Sequence, residues 1–316
     1  MSAAPITLLE VDSLEVLSLV DNFYDATMTS SQIAQRVPLR PDLLTALQPR
    51  AEHGFSMLIT ATWDGCRESL LLDTGLTADG VLNNLRALGI EPGPLRAIVL
   101  SHGHLDHTGG LRSVLGHFGA DVPVHVHPDA FLNRKIVLPS GAEVLLPPLD
   151  RAALAAQGAT VIANRDPSLL LDGHVLLTGQ VPRTTSFERG FPLQQAEIDG
   201  EWRPDPAIND DQALVLHVRE KGLAVIAGCS HAGIVNIVRC ARALTGVETL
   251  CAVIGGFHLG GQLFEGAIPE TIEELENAAP SVIVPTHCTG WKAIHAIAAA
   301  MPDAFVSNSV GTVYRL

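Results

Sequence analysis

Residues 101–110, SHGHLDHTGG, hold three histidines and an aspartate within six positions. Imidazole and carboxylate groups are ligands that suit zinc, iron and manganese. Alternate residues of an extended segment point to the same side, so His102 and His104 would share one face, and the following turn would bring Asp106 and His107 to a neighbouring position. The chain has no CxxC pair, which argues against a closed structural zinc site. The segment therefore predicts a site that can serve two metal ions.

Further histidines follow other apolar runs that are typical of strands. His231 comes after LAVIAGCS, His258 after CAVIGGF and His287 after SVIVPT, as the SHGHLDH segment comes after LRAIVL. One histidine at a strand end is usually just a half-exposed polar residue, but four strands that end in this way predict a shared site. A glycine pair precedes His258 closely and lets backbone approach a ligand, so we expect His258 to contact substrate or to act as the acid for the leaving group.

The elements that must position these residues alternate between strands and helices. SLEVLSLVDN, FSMLITATW and SLLLDTG are typical of early strands, and the second and third are joined by a turn at DGCRE. Apolar spacing predicts helices at about 78–88, near 269–278 and through 291–300. Both halves of the chain contain strands followed by helices. This order predicts one α/β domain over 1–316, of the α+β type, with two packed sheets and helices outside.

Two segments have no clear strand or helix pattern. Residues 139–150 are rich in proline and 182–210 are polar, which predicts loops. We interpret 182–210 as a lid or insertion that supplies no metal ligand. Within it, Arg183, Glu188 and Arg189 are charges that could orient a substrate, and a guanidinium there could pair with a phosphate or carboxylate. A solvated loop explains all three residues equally well.

Composition limits the classes of function. The chain has 20 Lys and Arg against 34 Asp and Glu, a formal net charge of −14, and no basic block, so nucleic acid is not an expected partner. No window reaches the roughly 18 uncharged apolar residues of a membrane span, and no signal peptide is visible. The scattered cysteines fit free thiols in a reducing compartment. We expect a cytoplasmic protein that binds a small molecule, does not bind membranes and could form a homodimer.

Several motifs together resemble a known family. HxHxDH after a buried strand, preceded by the DTG turn that contains Asp73, resembles the metallo-β-lactamase superfamily, whose fold is an αββα sandwich of two mixed sheets. VHVHPDAF, TGQVPRTTSFERG, GCSHAGI and PTHCTGWKAI resemble its branch of 7,8-dihydropterin-6-methyl-4-(β-D-ribofuranosyl)aminobenzene-5′-phosphate synthase-like proteins. The resemblance implies the fold and the metal site. It does not imply the substrate, because one fold serves many reactions.

The resemblance also implies how the ligands are shared between two metals. It makes His102 and His104 ligands of one ion, and it gives Asp106, His107 and His287 to the other. Many members of the superfamily have a further histidine in a TPGHTPG-like turn, where this chain reads TGQVPRTTSF. We infer that His231 supplies this missing imidazole.

The ligand that bridges the metals stays open. Many members of the superfamily place an aspartate after the next strand, where this chain reads AGCSHAG. Cys229, a carboxylate of Asp210 or Asp211, or water alone could take that place. A small residue beside a strand is more often part of the core, and this is the simpler interpretation of Cys229.

Three residues are candidates for supporting roles around the ligands. Asp73 could accept the second ring N–H of a ligand histidine and so fix its tautomer; capping of its own turn is an equally good interpretation. His125 and His127 alternate with valines in VPVHVHP. The resemblance assigns this stretch to the rim of the site, where we prefer His127.

These assignments predict a dinuclear metal-dependent hydrolase that uses a metal-bound hydroxide. Two divalent ions about 3.5 Å apart would lower the pKa of a shared water towards about 7 and polarise the bond under attack. Zinc is the first expectation, with iron or manganese as alternatives, and Asp106 would also accept a proton. The expected substrate is small and anionic or aromatic: a phosphoester, a lactone or an activated aryl bond. A synthase or transferase in pterin-type cofactor assembly is the alternative, and a non-catalytic binding module is the third candidate.

Overall fold

The computed structural model describes residues 4–38, 42 and 45–316. In chain order, the strands of these residues are β1 (Glu10–Val11), β2 (Ser13–Val20), β3 (Ala34–Gln35), β4 (Ser56–Trp63), β5 (Cys66–Leu72), β6 (Leu95–Val99), β7 (Val124–Val126), β8 (Arg134–Val137), β9 (Glu143–Leu146), β10 (Val161–Ala163), β11 (Ser168–Leu170), β12 (Val175–Leu177), β13 (Gln194–Ile198), β14 (Glu201–Pro204), β15 (Ala213–Val218), β16 (Gly222–Ala227), β17 (Leu250–Gly256), β18 (Val282–Thr286) and β19 (Val313–Arg315). The α-helices are α1 (Gly80–Leu88), α2 (Leu105–Thr108), α3 (Leu111–Phe118), α4 (Arg151–Ala156), α5 (Ile234–Thr245), α6 (Ile268–Ala278) and α7 (Trp291–Ala300).

Two large mixed sheets pack face to face. The first has the order β10-β7-β6-β5-β4-β2-β19-β3, and the second has the order β11-β12-β15-β16-β17-β18 with β1 paired to β15. Apolar side chains such as Met57 and Ile226 fill the space between the sheets. Helices α1 and α3 cover the outer face of the first sheet, and α5, α6 and α7 cover that of the second. The expected αββα sandwich is confirmed.

Parallel strands in both sheets end at the same edge of the sandwich. Strands β5, β6 and β7 run parallel in the first sheet, as β16, β17 and β18 do in the second. Asp73 follows β5, His102 follows β6, His231 follows β16, His258 follows β17 and His287 follows β18. Carboxyl ends of parallel strands are where open α/β sheets hold their ligands. The fold therefore gathers side chains that are far apart in the sequence.

The predicted helices are confirmed by α1, α6 and α7, which begin and end within two residues of the expected limits. Helix α1 ends at Gly89, whose φ of 66° lies in the left-handed region that glycine adopts without strain. Among the described residues, no helix combines the length and the apolar character needed to cross a bilayer.

The expectation that 139–150 and 182–210 are loops is wrong in part. Strand β9 lies in the first segment, and β13 and β14 lie in the second. They join β8 in a third sheet, of order β14-β13-β8-β9. Every residue of β14 and all but the last of β9 are exposed, so these strands lack the apolar alternation that identifies a half-buried strand in a sequence. Residues 182–193, which precede β13, have no helix or strand.

Candidate metal centre

After β6, the SHGHLDH segment forms a bend and then the first residues of the short helix α2. It brings the rings of His102 and His104 together, with centroids 4.6 Å apart. Between them, the Gly103 N–H donates to Asp210 Oδ2 at 2.8 Å. A side chain on Gly103 would collide with the backbone of Ala130, so this bend requires glycine.

His231 joins these histidines from the other sheet. Its ring centroid lies 4.7 Å from that of His102 and 4.9 Å from that of His104. Both ring nitrogens of His231 and Nε2 of His102 are buried, and among the described residues they have no hydrogen-bond partner. Buried polar atoms without partners are costly and rare in folded proteins. A bound cation would satisfy them, so these side chains fit a metal ion.

A second group of ligand side chains lies beside the first. Asp106 Oδ2 is 3.2 Å from His287 Nε2 and 3.7 Å from His107 Nε2. Phe55, fully buried, packs against both imidazoles, with centroids 5.8 Å from that of His107 and 5.9 Å from that of His287. The structure therefore brings together the residues that the sequence analysis gave to each of two metals.

Asp73 orients the ring of His107. Its Oδ2 lies 2.7 Å from His107 Nδ1. The backbone N–H of Ser101 donates to Oδ1 at 2.7 Å, and the Ser101 hydroxyl donates to Oδ2 at 2.6 Å. Asp73 thus accepts hydrogen bonds from the end of β6, and the interpretation that it caps its own turn does not match these contacts. His107 Nε2 is left facing the metal-ligand side chains.

His287 is oriented by the N-terminal part of the chain. Its backbone N–H donates to Asp21 Oδ1 at 2.8 Å, and its Nδ1 lies 3.2 Å from Asn22 Oδ1. The Asn22 side-chain amide donates to the His287 carbonyl oxygen at 3.0 Å. Asp21 and Asn22 were missed in the sequence because they follow β2 as an ordinary polar turn.

The ring of His104 is held by a chain of polar side chains around the third sheet. Gln194 Oε1 lies 2.8 Å from His104 Nε2, and the Gln194 amide donates to Asp205 Oδ2 at 3.2 Å. Arg134 donates to Asp205 at 3.0 Å and forms a two-pronged ion pair with Asp210. With Nε2 engaged in this way, His104 can offer only Nδ1 to a metal.

Burial keeps the histidines of the first group neutral. It is the main cause that lowers the pKa of His102 and His231 well below the ordinary value and that of His104 to about 4. A neutral imidazole has a free lone pair, which metal binding requires. These three rings therefore have, at neutral pH, the protonation state that a metal ligand needs.

In the second group, neighbouring charges outweigh burial and favour the charged forms of the side chains. Burial opposes the charged form of His107, but the carboxylates of Asp73 and Asp106 outweigh it and raise the pKa of the ring to about 9. Burial likewise opposes ionisation of Asp106, but His107 and His287 outweigh it and hold the pKa of this carboxyl well below its usual range. An ionised carboxylate of such low pKa is a good ligand and a weak proton acceptor.

Cys229 lies between the two groups. Its Sγ is 3.1 Å from His107 Nε2, and the residue is 3% exposed. Burial raises the pKa of the thiol well above its ordinary value. Of the two carboxylates considered for the bridge, Asp210 pairs with Arg134. Asp211 Oδ2 accepts the Ala232 N–H at 2.8 Å, and its Oδ1 is buried with no hydrogen-bond partner in the described residues.

A cleft of ≈ 380 Å³ opens beside these ligands. His231 and His258 line it, with Phe257 and Phe264 as apolar walls and Arg189 among its charged residues. The ring centroid of His258 lies 4.2 Å from that of His231 and 4.4 Å from that of Phe264. His258 therefore lies where the cleft meets the candidate metal ligands.

The structure gives Arg183 and Glu188 contacts within the protein. Arg183 Nη1 donates to the His231 carbonyl oxygen at 2.9 Å. Glu188 accepts the backbone N–H groups of Val235 at 2.8 Å and Asn236 at 2.9 Å, in the first turn of α5. These contacts position His231 and α5. A substrate contact by Arg183 or Glu188 stays a prediction.

Two further histidines flank the ligands. His127 is fully buried, its Nδ1 accepts the Asp129 N–H at 3.1 Å, and its Nε2 has no hydrogen-bond partner in the described parts of the chain. Its supporting role stays a prediction. His53 received no role from the sequence, yet its Nε2 is 4.0 Å from Asp106 Oδ2 and its ring lies against that of His287. The signal for His53 in the sequence was its place two residues before the strand-like run FSMLITATW.

Comparisons with known proteins agree with this geometry. Residues 49–244 match the family model of the metallo-β-lactamase superfamily. The 7,8-dihydropterin-6-methyl-4-(β-D-ribofuranosyl)-aminobenzene-5′-phosphate synthase of Methanocaldococcus jannaschii is 30% identical over 271 residues, which are 84% of this chain and 90% of that protein. An uncharacterized protein of the same organism is 31% identical over 83% of this chain and 93% of its own. The crystal structure of Tm1679, a metal-dependent hydrolase of the β-lactamase superfamily, has a TM-score of 0.70 and 23% identity over 96% of this chain and 98% of that one.

Proposed function

The chain belongs to the metallo-β-lactamase superfamily, and from this membership we propose that it is a hydrolase that uses two divalent metal ions. The observation that carries the proposal is the set of buried ring nitrogens of His102, His231 and His287 that have no hydrogen-bond partner in the described residues. Imidazole and carboxylate ligands suit zinc, with iron or manganese as alternatives. The proposed ligands are His102, His104, Asp106, His107, His231 and His287.

The chain's own residues would bind and orient the substrate. When bound, the metal ions would supply Lewis acidity and lower the pKa of a water molecule. Arg189 in the cleft would pair with an anionic group, and Phe257 and Phe264 would pack against an apolar or aromatic part. His258 has unpaired ring nitrogens at the inner end of the cleft, which supports a role as the proton donor to the leaving group. These features favour a small anionic or aromatic substrate.

The experiment measures metal content first and turnover second. Elemental analysis of protein expressed with ample zinc should find close to two ions per chain. The loaded protein is then assayed on phosphodiester, phosphomonoester, lactone and activated aryl substrates, beside a His258→Gln variant. We expect turnover of one class that a chelator abolishes. Protein that binds metal and hydrolyses none of the four classes would count against a hydrolase.

A synthase is the second candidate, and the 30% identity to the M. jannaschii synthase over 84% of the chain favours it. In a condensation, the same centre would stabilise an oxyanion without net hydrolysis. The test is to incubate the metal-loaded protein with a (β-D-ribofuranosyl)aminobenzene 5′-phosphate and a dihydropterin whose 6-methyl carbon carries a leaving group such as diphosphate, and to measure both the joined product and the released diphosphate. A product that contains both parts would support the synthase. A non-catalytic binding module is the third candidate and would turn over neither kind of substrate.

A further inference from the structure

Cys229 is common to several groups of side chains that could hold a metal ion. In each group the ligand atoms lie within 4.8 Å of one another. The groups in the described residues are Cys229 with Asp106, His107 and His287; Cys229 with His102 and His231; and Cys229 with His258 and Cys288. The sulfur therefore lies within reach of the ligands proposed for each metal.

The fold places the thiol there by a close approach of two strand ends. Cys229 follows Gly228 at the end of β16, and a side chain on Gly228 would collide with Ser101 at the end of β6. On the other side, the Ser230 hydroxyl donates to the Gly256 carbonyl oxygen at 2.6 Å, which fixes the turn after β16. The sulfur is thus held between the two sheets, where the ligands from both sheets meet.

The hydrogen-bond partner of Cys229 Sγ is itself a candidate metal ligand. Asp73 occupies His107 Nδ1, so Nε2 is the ring atom that faces Cys229 Sγ at 3.1 Å. These two atoms lie at hydrogen-bond distance, and the tautomer of His107 decides which of them carries the proton. Both atoms are metal ligands once that proton leaves, because metal binding displaces protons from thiols and imidazoles.

Other buried cysteines of the chain provide a contrast. Cys251 packs within the apolar cluster between the sheets, and Cys240 packs within the cluster under α5. These are the surroundings of a small core residue. Cys229 instead contacts His107 and lies near Asp106 and His102, so a plain core role does not explain its surroundings.

We propose that Cys229 would hold both ions, as a thiolate ligand shared by the group of His102 and His231 and the group of Asp106, His107 and His287. The proposal rests on the proposed function as far as that function places two metals here. On binding, the Sγ–H bond breaks, the proton is released to solvent, and the sulfur lone pairs bind the ions. A thiolate is a soft ligand, so the centre should prefer zinc or cobalt over manganese or magnesium.

Cobalt(II) tests the ligand directly, because a cobalt–thiolate bond gives a charge-transfer absorption that imidazole and carboxylate ligands lack. The metal-free full-length protein is titrated with Co²⁺ while near-ultraviolet absorption and bound cobalt are measured. We expect the band to grow over the first and the second equivalent. In Cys229→Ser the band should be lost. Cobalt affinity should fall by roughly 10- to 100-fold or more, because loss of even a hydrogen-bond partner of a ligand costs that much. Cys66→Ser and Cys288→Ser should keep the band.

The outcomes separate this proposal from the proposed function. Cobalt bound without the band, or a band that persists in Cys229→Ser, would overturn the thiolate ligand and leave the hydrolase untouched. An absorption band that reaches its full intensity at one equivalent of cobalt would mean that the sulfur binds one ion only, and it would overturn the shared ligand. Conversely, a full band in a protein that hydrolyses nothing would count against the hydrolase alone. If Cys229→Ser fails to fold, X-ray absorption at the cobalt edge of the Cys288→Ser protein decides by the presence or absence of a sulfur neighbour.

Discussion

Asp73 Oδ2 and His107 Nδ1 lie 2.7 Å apart, and neither side chain has any exposed surface. The pair connects the ends of β5 and β6, since Asp73 follows one strand and His107 lies in α2 just beyond the other. A carboxylate in this position fixes the tautomer of the ring and makes its other nitrogen a better ligand.

Replacing this carboxylate should weaken metal binding without removing a ligand. For Asp73→Asn we expect zinc affinity to fall roughly 10- to 100-fold, the usual cost of losing such a partner. Competition with a chromophoric chelator measures it. The matched control is Asp64→Asn, an exposed turn residue at the other end of β5. Equal zinc affinities in the two variants would mean that the charge of Asp73 is not needed to orient His107.

Gln194 should support one metal more than the other. Its Oε1 is the partner of His104 Nε2, so Gln194→Ala should lower the affinity for one ion by about tenfold or more, while Gln194→Glu, which keeps an acceptor, should lose less. Stepwise cobalt titration distinguishes the two ions. Gln195→Ala is the control, because Gln195 is the next residue of β13 and points to the other face. A loss of both ions together would contradict a local effect.

Glu188 should matter more for stability than for metal binding. Its carboxylate satisfies two backbone N–H groups in the first turn of α5, so Glu188→Ala should reduce the free energy of unfolding by about 1–3 kcal/mol. Urea unfolding of the metal-loaded proteins measures this, with the exposed Glu201→Ala as control. Unchanged stability with a raised KM would return Glu188 to the substrate-binding role expected from the sequence.

Arg189 should bind the anionic part of the substrate. It lines the cleft, whereas Arg183 donates to the His231 carbonyl oxygen. A lost charge-assisted hydrogen bond costs about 1.5–3 kcal/mol, so Arg189→Ala should raise KM by roughly tenfold or more and leave the metal content unchanged. Steady-state kinetics beside Arg183→Ala gives the comparison. A larger rise in KM for Arg183→Ala, at unchanged stability, would reverse the assignment.

Asp211 should make stability depend on pH. Burial raises the pKa of its carboxyl from 3.8 to about 7 in the folded chain. The folded state therefore binds more protons than the unfolded state between these values, and this contribution to stability is lost as pH rises through that window. Asp211→Asn keeps the acceptor for the Ala232 N–H and removes the charge. The free energy of unfolding of the variant, minus that of the unaltered protein, should therefore be more positive at pH 8 than at pH 5. A relative loss at pH 8 would mean that ionised Asp211 is stabilised by Arg183.

The gathering of the strand-end histidines could be predicted from local sequence and one general rule of sheet geometry. Each follows an apolar run, and the carboxyl ends of parallel strands meet at one edge whatever the lengths between them. The helices were predictable for a similar reason, since α1, α6 and α7 have regular apolar spacing and α1 ends at a glycine.

The partners of the ligands could not be predicted, because they depend on contacts between distant segments. Gln194 and Asp205 lie in a stretch that reads as a polar loop, and Arg134 reaches them only because β8 and β13 pair. Cys229 was interpreted as core because a small residue beside a strand is more often part of the core. What surrounds its sulfur is set by the close approach of β16 to β6, which no local pattern records.

The ligands come from both sheets, with His102, His104 and His107 after β6 and His231 and His287 after β16 and β18. Bound ions would therefore act as a reversible cross-link between the two layers of the sandwich. Such a link closes very long loops of the chain, and its binding free energy adds to that of folding. The centre cannot form until both layers have docked, so metal capture would be a late event in folding, and metal release an early one in unfolding.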